Sequence, residues 1–359
     1  MLDGKVCMSS PPVYLSTVAT ALPPYGADQD LAASFFREHY GNRLSPRSLK
    51  VMENILGHPG IRRRHFALED PACLVDEDPD SRIERFTRWA VTLSVESAAM
   101  ALAEAGLSPQ DVSALIVNTC TGYLCPGISS YLIERLGLLR DVRAFDLVGS
   151  GCGGAIPNIS MGASLLPVDG DGRALCVSVE ICSATFQMAD DLSLILSNSI
   201  FADGAAAAVI GKKRSGLEII RSSTRHLPEE RDTIRYIHRG GQLHNQLSRR
   251  LPKVIGRTVA QAVHSLLEPM GLSVPDVDHW AVHGGGESVL ASVGREVDLP
   301  EAKLAPSRRV LERCGNMSSP SVLFVLKDIM AGGIEPGSWL VLVAFGAGLS
   351  AHAMLLRAV

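Results

Sequence analysis

The stretch Phe145–Ser164, FDLVGSGCGGAIPNISMGAS, decides how the rest of the chain is interpreted. A mostly apolar run, Phe145 to Val148, ends in a glycine-rich turn around Cys152, and a run compatible with a helix, Ala155 to Leu166, follows. The pattern predicts a strand, a tight turn and a helix, with the cysteine at the amino end of the helix. Unpaired backbone N–H groups and the helix dipole favour a thiolate there, and glycines let backbone donors approach a ligand. The stretch therefore indicates either a catalytic nucleophile or a small buried residue in a turn.

Composition predicts a large core and argues against nucleic-acid binding. Of the 359 residues, 46% are hydrophobic, 20% are charged and only 5% are aromatic, with a net charge of -4. Small aliphatic residues therefore fill the interior, and no general basic footprint exists. Three short basic clusters, Arg62–Arg64, Arg249–Arg250 and Arg308–Arg309, either meet phosphates of a small ligand or form solvated faces. No apolar run reaches membrane-spanning length, so no membrane contact is predicted.

The cysteines predict a reduced, cytoplasmic protein without a metal site. None of them forms a CxxC pair or zinc spacing, and several lie in apolar, strand-like runs, as free buried cysteines do. Residues 1–23 lack the long apolar core and cleavage pattern of a signal peptide. The eight cysteines are Cys7, Cys73, Cys120, Cys125, Cys152, Cys176, Cys182 and Cys314.

Two distant segments share one pattern. SVESAAMALAEAGLSPQDVSALIVNTCTG and RTVAQAVHSLLEPMGLSVPDVDHWAVHGGG both read as a helix, Gly-Leu-Ser, Asp-Val two residues later, an apolar strand and a turn of small residues. The similarity predicts a duplicated α/β protein with halves at residues 1–215 and 216–359, and the alternation of helix and strand predicts a mainly parallel sheet in each half. Chance similarity of two short segments is the alternative.

The alignment of the two similar segments, continued along the chain, pairs the turn at Cys152 with the turn at Asn316. Carried forward, it places Cys152 beside Met317, one residue from Asn316, and each turn precedes an apolar run compatible with a helix. His283 ends the predicted strand His279–Val282 and is followed by three glycines. Sites in such proteins lie at strand ends where the halves meet, so the three side chains are expected to converge. Taken singly, the histidine is typical of a surface residue and the asparagine of a turn.

Several motifs now resemble one family, the type III polyketide synthases, which are the chalcone-synthase-like branch of the thiolase-fold condensing enzymes. Its cysteine, histidine and asparagine match Cys152 in GSGCGG, His283 in VHGGG and Asn316 in CGNMSSPS. Its gatekeeping phenylalanine matches Phe201 in IFADGAAAAVIG, and another family region matches residues 179–186, VEICSATF. Two family prolines are missing, since Gly284 follows His283 and residues 345–348 read Phe-Gly-Ala-Gly. The missing prolines put cavity shape in doubt, not the triad.

The resemblance implies a thiolase-like fold with two pseudosymmetric α/β halves, stacked mixed sheets and buried central helices in αβαβα layers. It implies that Cys152 holds a starter acyl group from acyl-CoA. His283 as imidazolium would stabilise the thiolate, and His283 with Asn316 would stabilise the enolate formed when malonyl-CoA loses CO2. A Claisen condensation then extends the chain, and no metal or cofactor takes part.

The resemblance also implies a set of substrate-binding residues and a homodimer. Cys182 resembles bacterial members more than plant ones and is either a small cavity-lining residue or a second nucleophile. The loop of Cys120 and Cys125 would reach the dimer interface, and Arg62–Arg64 are candidates for cations that bind CoA. The substrate-binding residues are Phe201, Cys182, Thr185, Cys120, Thr121, Cys125, Gly285, Gly286 and Ser318.

The leading interpretation is iterative decarboxylative condensation followed by cyclisation to a pyrone, resorcinol, phloroglucinol or naphthalene-type product. The alternatives are a ketoacyl synthase III-like enzyme that condenses once using an acyl carrier protein, a Cys–His thioester hydrolase and a catalytically silent member of the fold. Starter, number of extensions and cyclisation mode stay open. Few large aromatics near Cys182 and Thr185 leave room for an aliphatic starter.

Overall fold

The computed structural model describes residues 11–75, 77–167 and 170–359, so Cys7 lies outside the described residues. Helices and strands alternate along most of the chain. The helices are α1 (Gln29–Tyr40), α2 (Pro46–Leu56), α3 (Pro79–Ala105), α4 (Ile128–Leu136), α5 (Ala155–Ser164), α6 (Leu192–Ile200), α7 (Leu251–Leu267), α8 (Glu287–Val297), α9 (Glu301–Cys314) and α10 (Ser321–Ala331). The strands are β1 (Val13–Ala21), β2 (Tyr25–Asp28), β3 (Arg63–Phe66), β4 (Val112–Asn118), β5 (Arg143–Leu147), β6 (Arg173–Ile181), β7 (Asp203–Gly211), β8 (Leu217–His226), β9 (Ile234–Arg239), β10 (Gln242–Leu247), β11 (His279–Val282), β12 (Trp339–Gly346) and β13 (Ser350–Ala358).

Nine of the strands form one mixed sheet in the order β11-β12-β13-β8-β1-β7-β6-β4-β5. The pairs β4–β5, β4–β6 and β11–β12 are parallel, and the other pairs in this sheet are antiparallel. The prediction of mainly parallel halves is therefore wrong. Periodicity separates helix from strand but does not set strand direction, and a connection as short as residues 347–349 between β12 and β13 joins only antiparallel neighbours.

The strand order shows the duplication directly. In the first half the order is β1-β7-β6-β4, and in the second it is β8-β13-β12-β11, with β1 and β8 meeting over three residue pairs. Taken in chain order within its half, each of these four strands has its counterpart in the other half, and β5 is an additional edge strand of the first. The two similar halves are thus confirmed, while the exact boundary between residues 215 and 216, in the link from β7 to β8, stays a prediction.

Two buried helices pack between the two halves of the sheet. α5 packs on β4, β6 and β7 of the first half and on β12 and β13 of the second, and α10 likewise contacts strands of both halves. Both helices are apolar on most sides, as helices without a solvent face are. α3 covers the outer face of the first half with α4 beside it, and α7 covers that of the second with α8 beside it. The predicted αβαβα layers are confirmed.

The remaining elements gather at one end of the molecule. The hairpins β2–β3 and β9–β10 lie outside the main sheet, and α2 and β10 both pack on α6. The apolar faces of α1 and α2 form a cluster with Phe186 and Ile195. These elements surround the ends of β5, β11 and β12, where the candidate residues lie.

Candidate active site

Cys152 lies in a single 3-10 turn, Gly151–Gly153, between β5 and α5, and its side chain is buried. The glycines beside it have a packing role. A Cβ on Gly151 would lie 2.9 Å from the backbone nitrogen of Ala347, and one on Gly153 would lie 3.0 Å from Cδ2 of His352. Gly151 also has φ +55°, which L side chains rarely adopt. The turn is therefore seated closely on the loop after β12 and on β13.

His283 follows β11 directly and is held by its backbone. Its N–H donates to the carbonyl of Val343 (2.8 Å), and its carbonyl accepts from the N–H of Gly285 (2.9 Å). The ring packs edge-on against Phe345, with centroids 5.0 Å apart. Both ring nitrogens are buried without a hydrogen-bond partner among the described residues. Because buried polar atoms are normally paired, two such nitrogens point to a ligand.

Asn316 is held by the backbone that carries Phe201. Its N–H donates to the carbonyl of Ile200 (2.9 Å), and its carbonyl accepts from the N–H of Ala202 (2.8 Å). Its side-chain Oδ1 accepts from the N–H of Ser318 (2.8 Å). That bond fixes the amide orientation and leaves the NH2 end to donate to a ligand.

One cavity of about 420 Å³ is lined by Cys152, His283 and Asn316 together. Gly285 and Gly286 line the same cavity. The convergence expected from the duplication is therefore present. A nucleophile, an imidazole and an amide donor share one space, which is the arrangement required for acyl transfer through an oxyanion.

Burial works against charge on both reacting groups. It raises the pKa of the Cys152 thiol to about 12, a shift that a hydrogen bond with Ser318 partly offsets, and it lowers the pKa of the His283 imidazole to about 3. Burial thus favours the uncharged form of each group. The thiolate–imidazolium pair stays a prediction, and attack by the sulfur requires its proton to move to another group.

Comparison with known proteins identifies the family. Residues 9–276 match the family model FAE1/Type III polyketide synthase-like protein, and residues 218–359 match the model Chalcone and stilbene synthases, C-terminal domain. The chain belongs to the type III polyketide synthases. Enzymes of this family are acyltransferases that condense CoA thioesters with loss of CO2.

Individual relatives cover nearly the whole chain. A 1,3,6,8-tetrahydroxynaphthalene synthase of Streptomyces peucetius subsp. caesius is 30% identical over 96% of this chain and 92% of the relative. The alpha-pyrone synthesis polyketide synthase-like Pks18 of Mycobacterium tuberculosis is 29% identical over the same shares. The crystal structure of PKS-I from the brown alga Ectocarpus siliculosus matches with a TM-score of 0.89 and 28% identity, covering 98% of this chain and 100% of that one.

Two further cavities of this polyketide synthase adjoin the first. One of about 400 Å³ is lined by Cys120, Ser318 and Tyr236 and shares Cys152 and Phe201 with the first cavity. A third, of about 310 Å³, is lined by Cys182, again by Phe201, and by apolar and aromatic side chains of α1 and β3. Phe201 thus borders all three spaces.

Three predicted substrate-binding residues lie outside these cavities. Thr121 Oγ1 donates to Glu180 (2.9 Å) and accepts from the N–H of Ile181 (2.9 Å), so its hydroxyl has a structural role. Thr185 donates to the carbonyl of Cys182 (2.9 Å), and Cys125 is exposed on the loop after β4. None of the three borders the cavities that contain Cys152.

Glu180 is a buried residue that the sequence reasoning did not single out. Its carboxylate accepts from the backbone N–H of Cys120 (2.9 Å) and the hydroxyls of Thr121 (2.9 Å) and Ser319 (2.6 Å), and it also lies 3.4 Å from the hydroxyl of Ser318. Burial raises its pKa. The carboxylate ties the Cys120 loop to the turn that carries Asn316. The signal available in the sequence was a charged residue inside the apolar run of β6.

The first basic cluster does not reach the cavity of the triad. Arg62 pairs with Glu312 (2.6 Å), Arg63 pairs with Asp28 (2.9 Å), and Arg64 is buried elsewhere. Arg62 and Arg63 are exposed ion pairs and Arg64 is buried, so the candidacy of Arg62–Arg64 as CoA-binding cations stays a prediction. Arg249, from the second cluster, lines the 420 Å³ cavity and is exposed.

The seven described cysteines of this polyketide synthase form no disulfide. In residues 11–75, 77–167 and 170–359, no helix combines the length and apolarity needed to cross a membrane. No group of three or more His, Cys, Asp or Glu side chains in these residues is arranged to hold a metal ion.

Proposed function

We propose that this enzyme loads an acyl group from acyl-CoA onto Cys152 and extends it iteratively with malonyl-CoA. The observation that carries the proposal is the single cavity shared by Cys152, His283 and Asn316, with the second cavity opening beside the same sulfur. A space of about 400 Å³ next to the nucleophile suits a chain that grows over several rounds.

In the loading step the Cys152 sulfur attacks the thioester carbonyl. The bond from that carbon to Sγ forms, the bond to the CoA sulfur breaks, and the thiol proton passes by way of His283 to the leaving thiolate. Because burial favours the neutral thiol and the neutral imidazole, this proton transfer accompanies the attack.

In the extension step malonyl-CoA loses CO2, and the electrons of the broken C–C bond form an enolate. An N–H of His283 and the amide NH2 of Asn316 donate to its oxygen, and each such donor contributes about 3–4 kcal/mol of transition-state stabilisation. The enolate carbon attacks the acyl-Cys152 carbonyl, and the bond to Sγ breaks, leaving a thiolate. That thiolate attacks the thioester of the extended acyl-CoA for the next round, and the CoA thiolate that leaves takes a proton from water. No general base is needed because decarboxylation supplies the carbanion.

The third cavity supports an aliphatic starter. Its walls include Phe35, Phe36, Phe66 and Phe186, and it shares Phe201 with the two cavities beside Cys152. Apolar walls bind an acyl chain by removing its surface from water. We therefore propose a medium or long acyl-CoA as the starter. Relatives named for alpha-pyrone and tetrahydroxynaphthalene synthesis support a pyrone or a polyhydroxy aromatic as the product.

Arg249 and the dimer complete the proposal. The exposed guanidinium of Arg249 at the first cavity would meet phosphates of CoA.

A homodimer is proposed because Tyr123 and Val148, both exposed, line the 400 Å³ cavity and would be covered by a second copy. A cytoplasmic protein with no nucleic-acid, membrane or metal partner remains the expectation.

The test is incubation with malonyl-CoA and a panel of acyl-CoAs from acetyl to long-chain, with products identified by mass. We expect cyclised products of several malonyl units and the highest kcat/KM for an aliphatic starter. A single ketoacyl product that requires an acyl carrier protein would favour the ketoacyl synthase alternative. Acyl-CoA hydrolysis without decarboxylation of malonyl-CoA would favour the hydrolase.

A further inference from the structure

Arg64 is a buried guanidinium whose hydrogen-bond partners are all uncharged. It is 1% exposed, and its Nε donates to Oε1 of Gln29 (2.8 Å). Its Nη1 donates to the carbonyls of Asn198 (2.7 Å) and Phe201 (2.8 Å). The nearby carboxylate of Asp203 accepts instead from Ala67 and Ser183. Burying a charge in this way is costly, so the interactions that it makes call for an explanation.

The carbonyls that Arg64 binds end α6. The last carbonyls of a helix have no partner within the helix and carry partial negative charge, so a cation there is favourable. Gln29 joins the same cap, because its Nε2 donates to the carbonyl of Ser199 (3.1 Å). Together the two side chains hold three carbonyls of residues 198–201.

The segment held by this cap, residues 198–202, carries Phe201 and is hydrogen-bonded to Asn316. Phe201 is the residue common to the three cavities. The neighbouring carbonyl of Ile200 and N–H of Ala202 form the two backbone bonds that hold Asn316. Gly315 completes the contact, because a Cβ there would lie 2.7 Å from Cγ of Arg64. Arg64 therefore contacts both of the backbone segments that pair at Phe201 and Asn316.

The other half of the triad is anchored elsewhere. His283 is held by Val343, and the turn of Cys152 is seated on Ala347 and His352. None of these contacts involves Arg64. Displacement of the 198–202 segment would therefore move Asn316 and Phe201 while Cys152 and His283 keep their places.

We propose that Arg64 is a positioning residue that places Asn316 and Phe201 for decarboxylation of malonyl-CoA, without a part in the loading of Cys152. The inference rests on the proposed function. It predicts that two half-reactions of one enzyme respond differently to substitution of a residue that lies outside the two cavities beside Cys152 and borders only the third one.

The variant Arg64→Gln tests this separation. We expect decarboxylation of malonyl-CoA to fall roughly 100-fold, the loss that a displacement of about 1 Å can cause. Loading of Cys152 is measured with acetyl-CoA, because Arg64 also lines the cavity proposed for longer acyl chains. Followed by intact-protein mass in rapid-quench samples, it should stay within about threefold of wild type for folded protein. Arg64→Lys keeps the charge but not the fork of donors, so it should recover decarboxylation only in part.

Arg82→Gln is the matched control. Arg82 is another buried arginine, but it donates to Glu77 and Gln242, away from residues 198–202. It should lower both half-reactions equally or leave both unchanged. Each variant is compared per folded molecule, using its melting curve. If Arg64→Gln does not fold, Gln29→Met removes the other member of the cap and should show the same separation to a smaller degree.

The outcomes distinguish the two proposals. Equal loss of loading and decarboxylation in the Arg64 and Gln29 variants, with wild type active in both, would overturn the positioning role alone. A wild type that neither loads Cys152 nor decarboxylates malonyl-CoA would overturn the proposed function, and the positioning role with it.

Discussion

Cys152, His283 and Asn316 each stand on a turn whose backbone is held independently of the other two. The first is packed on the loop after β12, the second is bonded to Val343, and the third is bonded to residues 200 and 202. Substitution of one side chain therefore removes one chemical group and leaves the other two in place. The steps of the reaction can then be tested separately.

The variant Asn316→Ala removes one donor to the enolate oxygen. We expect decarboxylation of malonyl-CoA to fall by about 10²–10³, as observed for loss of a single oxyanion donor, while loading of Cys152 is retained. Release of CO2 and the mass of the acyl-enzyme measure the two steps. Asn245→Ala is the control, since Asn245 borders only the second cavity and its variant should keep decarboxylation. Loss of both steps in Asn316→Ala would contradict the assigned role.

At the residue scale the sequence predicted the triad but not its surroundings. Cys152, His283 and Asn316 could be placed because the duplication carries a register from one turn to the next. Glu180, Phe345 and Arg249 lie in stretches that the sequence analysis quoted, but no local pattern shows that they border or support the site. Their positions depend on which strands and loops meet, and that packing is settled only in the folded chain.

β13 shows how an element supports the site from behind. His352 on this strand is buried against Gly153, next to the nucleophile, and its ring nitrogens lie 3.0 Å from the hydroxyl of Thr224 and 3.1 Å from that of Ser350. Burial, and secondarily the nearby His226, lowers its pKa to about 4. The ring is therefore neutral in the folded protein over the physiological range.

This shift predicts a pH dependence of stability. An unfolded histidine takes up a proton near pH 6.5 but the folded one only near pH 4, so protonation favours the unfolded chain between these values. The contribution of His352 is complete above pH 6.5 and is lost as the pH falls to about 4, amounting to about 3 kcal/mol. Urea unfolding at several pH values should show wild type losing that much more stability than His352→Asn. His264→Asn, at an exposed site on α7, should follow wild type. Parallel curves for wild type and His352→Asn would refute the assignment.

At the element scale the sequence predicted where strands and helices begin but not how strands run. β11 was predicted with its bounds, and α5 with its first residue, Ala155. Strand direction was predicted wrongly, because periodicity reports which faces are buried and not which neighbour a strand pairs with. The repeated strand order, by contrast, followed from the internal repeat.

The molecule as a whole presents an apolar surface at the edge strand β5. Phe145 on this strand, Val148 just after it and Tyr123 on the loop after β4 are exposed. Exposed edge strands are normally covered or blunted in native proteins. Tyr123 and Val148 also line the cavity beside Cys152, so a second copy placed here would close part of the reaction space.

The variant Val148→Asp places a charge in this surface. We expect it to convert a dimer into a monomer in sedimentation or light scattering, and to shorten the products because the cavity is no longer closed. Ile83→Asp is the control, because Ile83 is an equally exposed side chain on α3 and should leave both the oligomeric state and the products unchanged. A dimeric Val148→Asp enzyme would show that the interface lies elsewhere.

Among the cysteines near the cavities, Cys152 is the one proposed to carry the growing chain. The most direct measurement is peptide mass mapping of the enzyme quenched with acyl-CoA alone and then with malonyl-CoA. We predict the starter mass on the peptide containing Cys152, followed in the second sample by longer chains, each extended by one two-carbon unit, and no adduct in Cys152→Ala. An adduct on Cys120 or Cys182 in wild type, or full product from Cys152→Ala, would contradict the account.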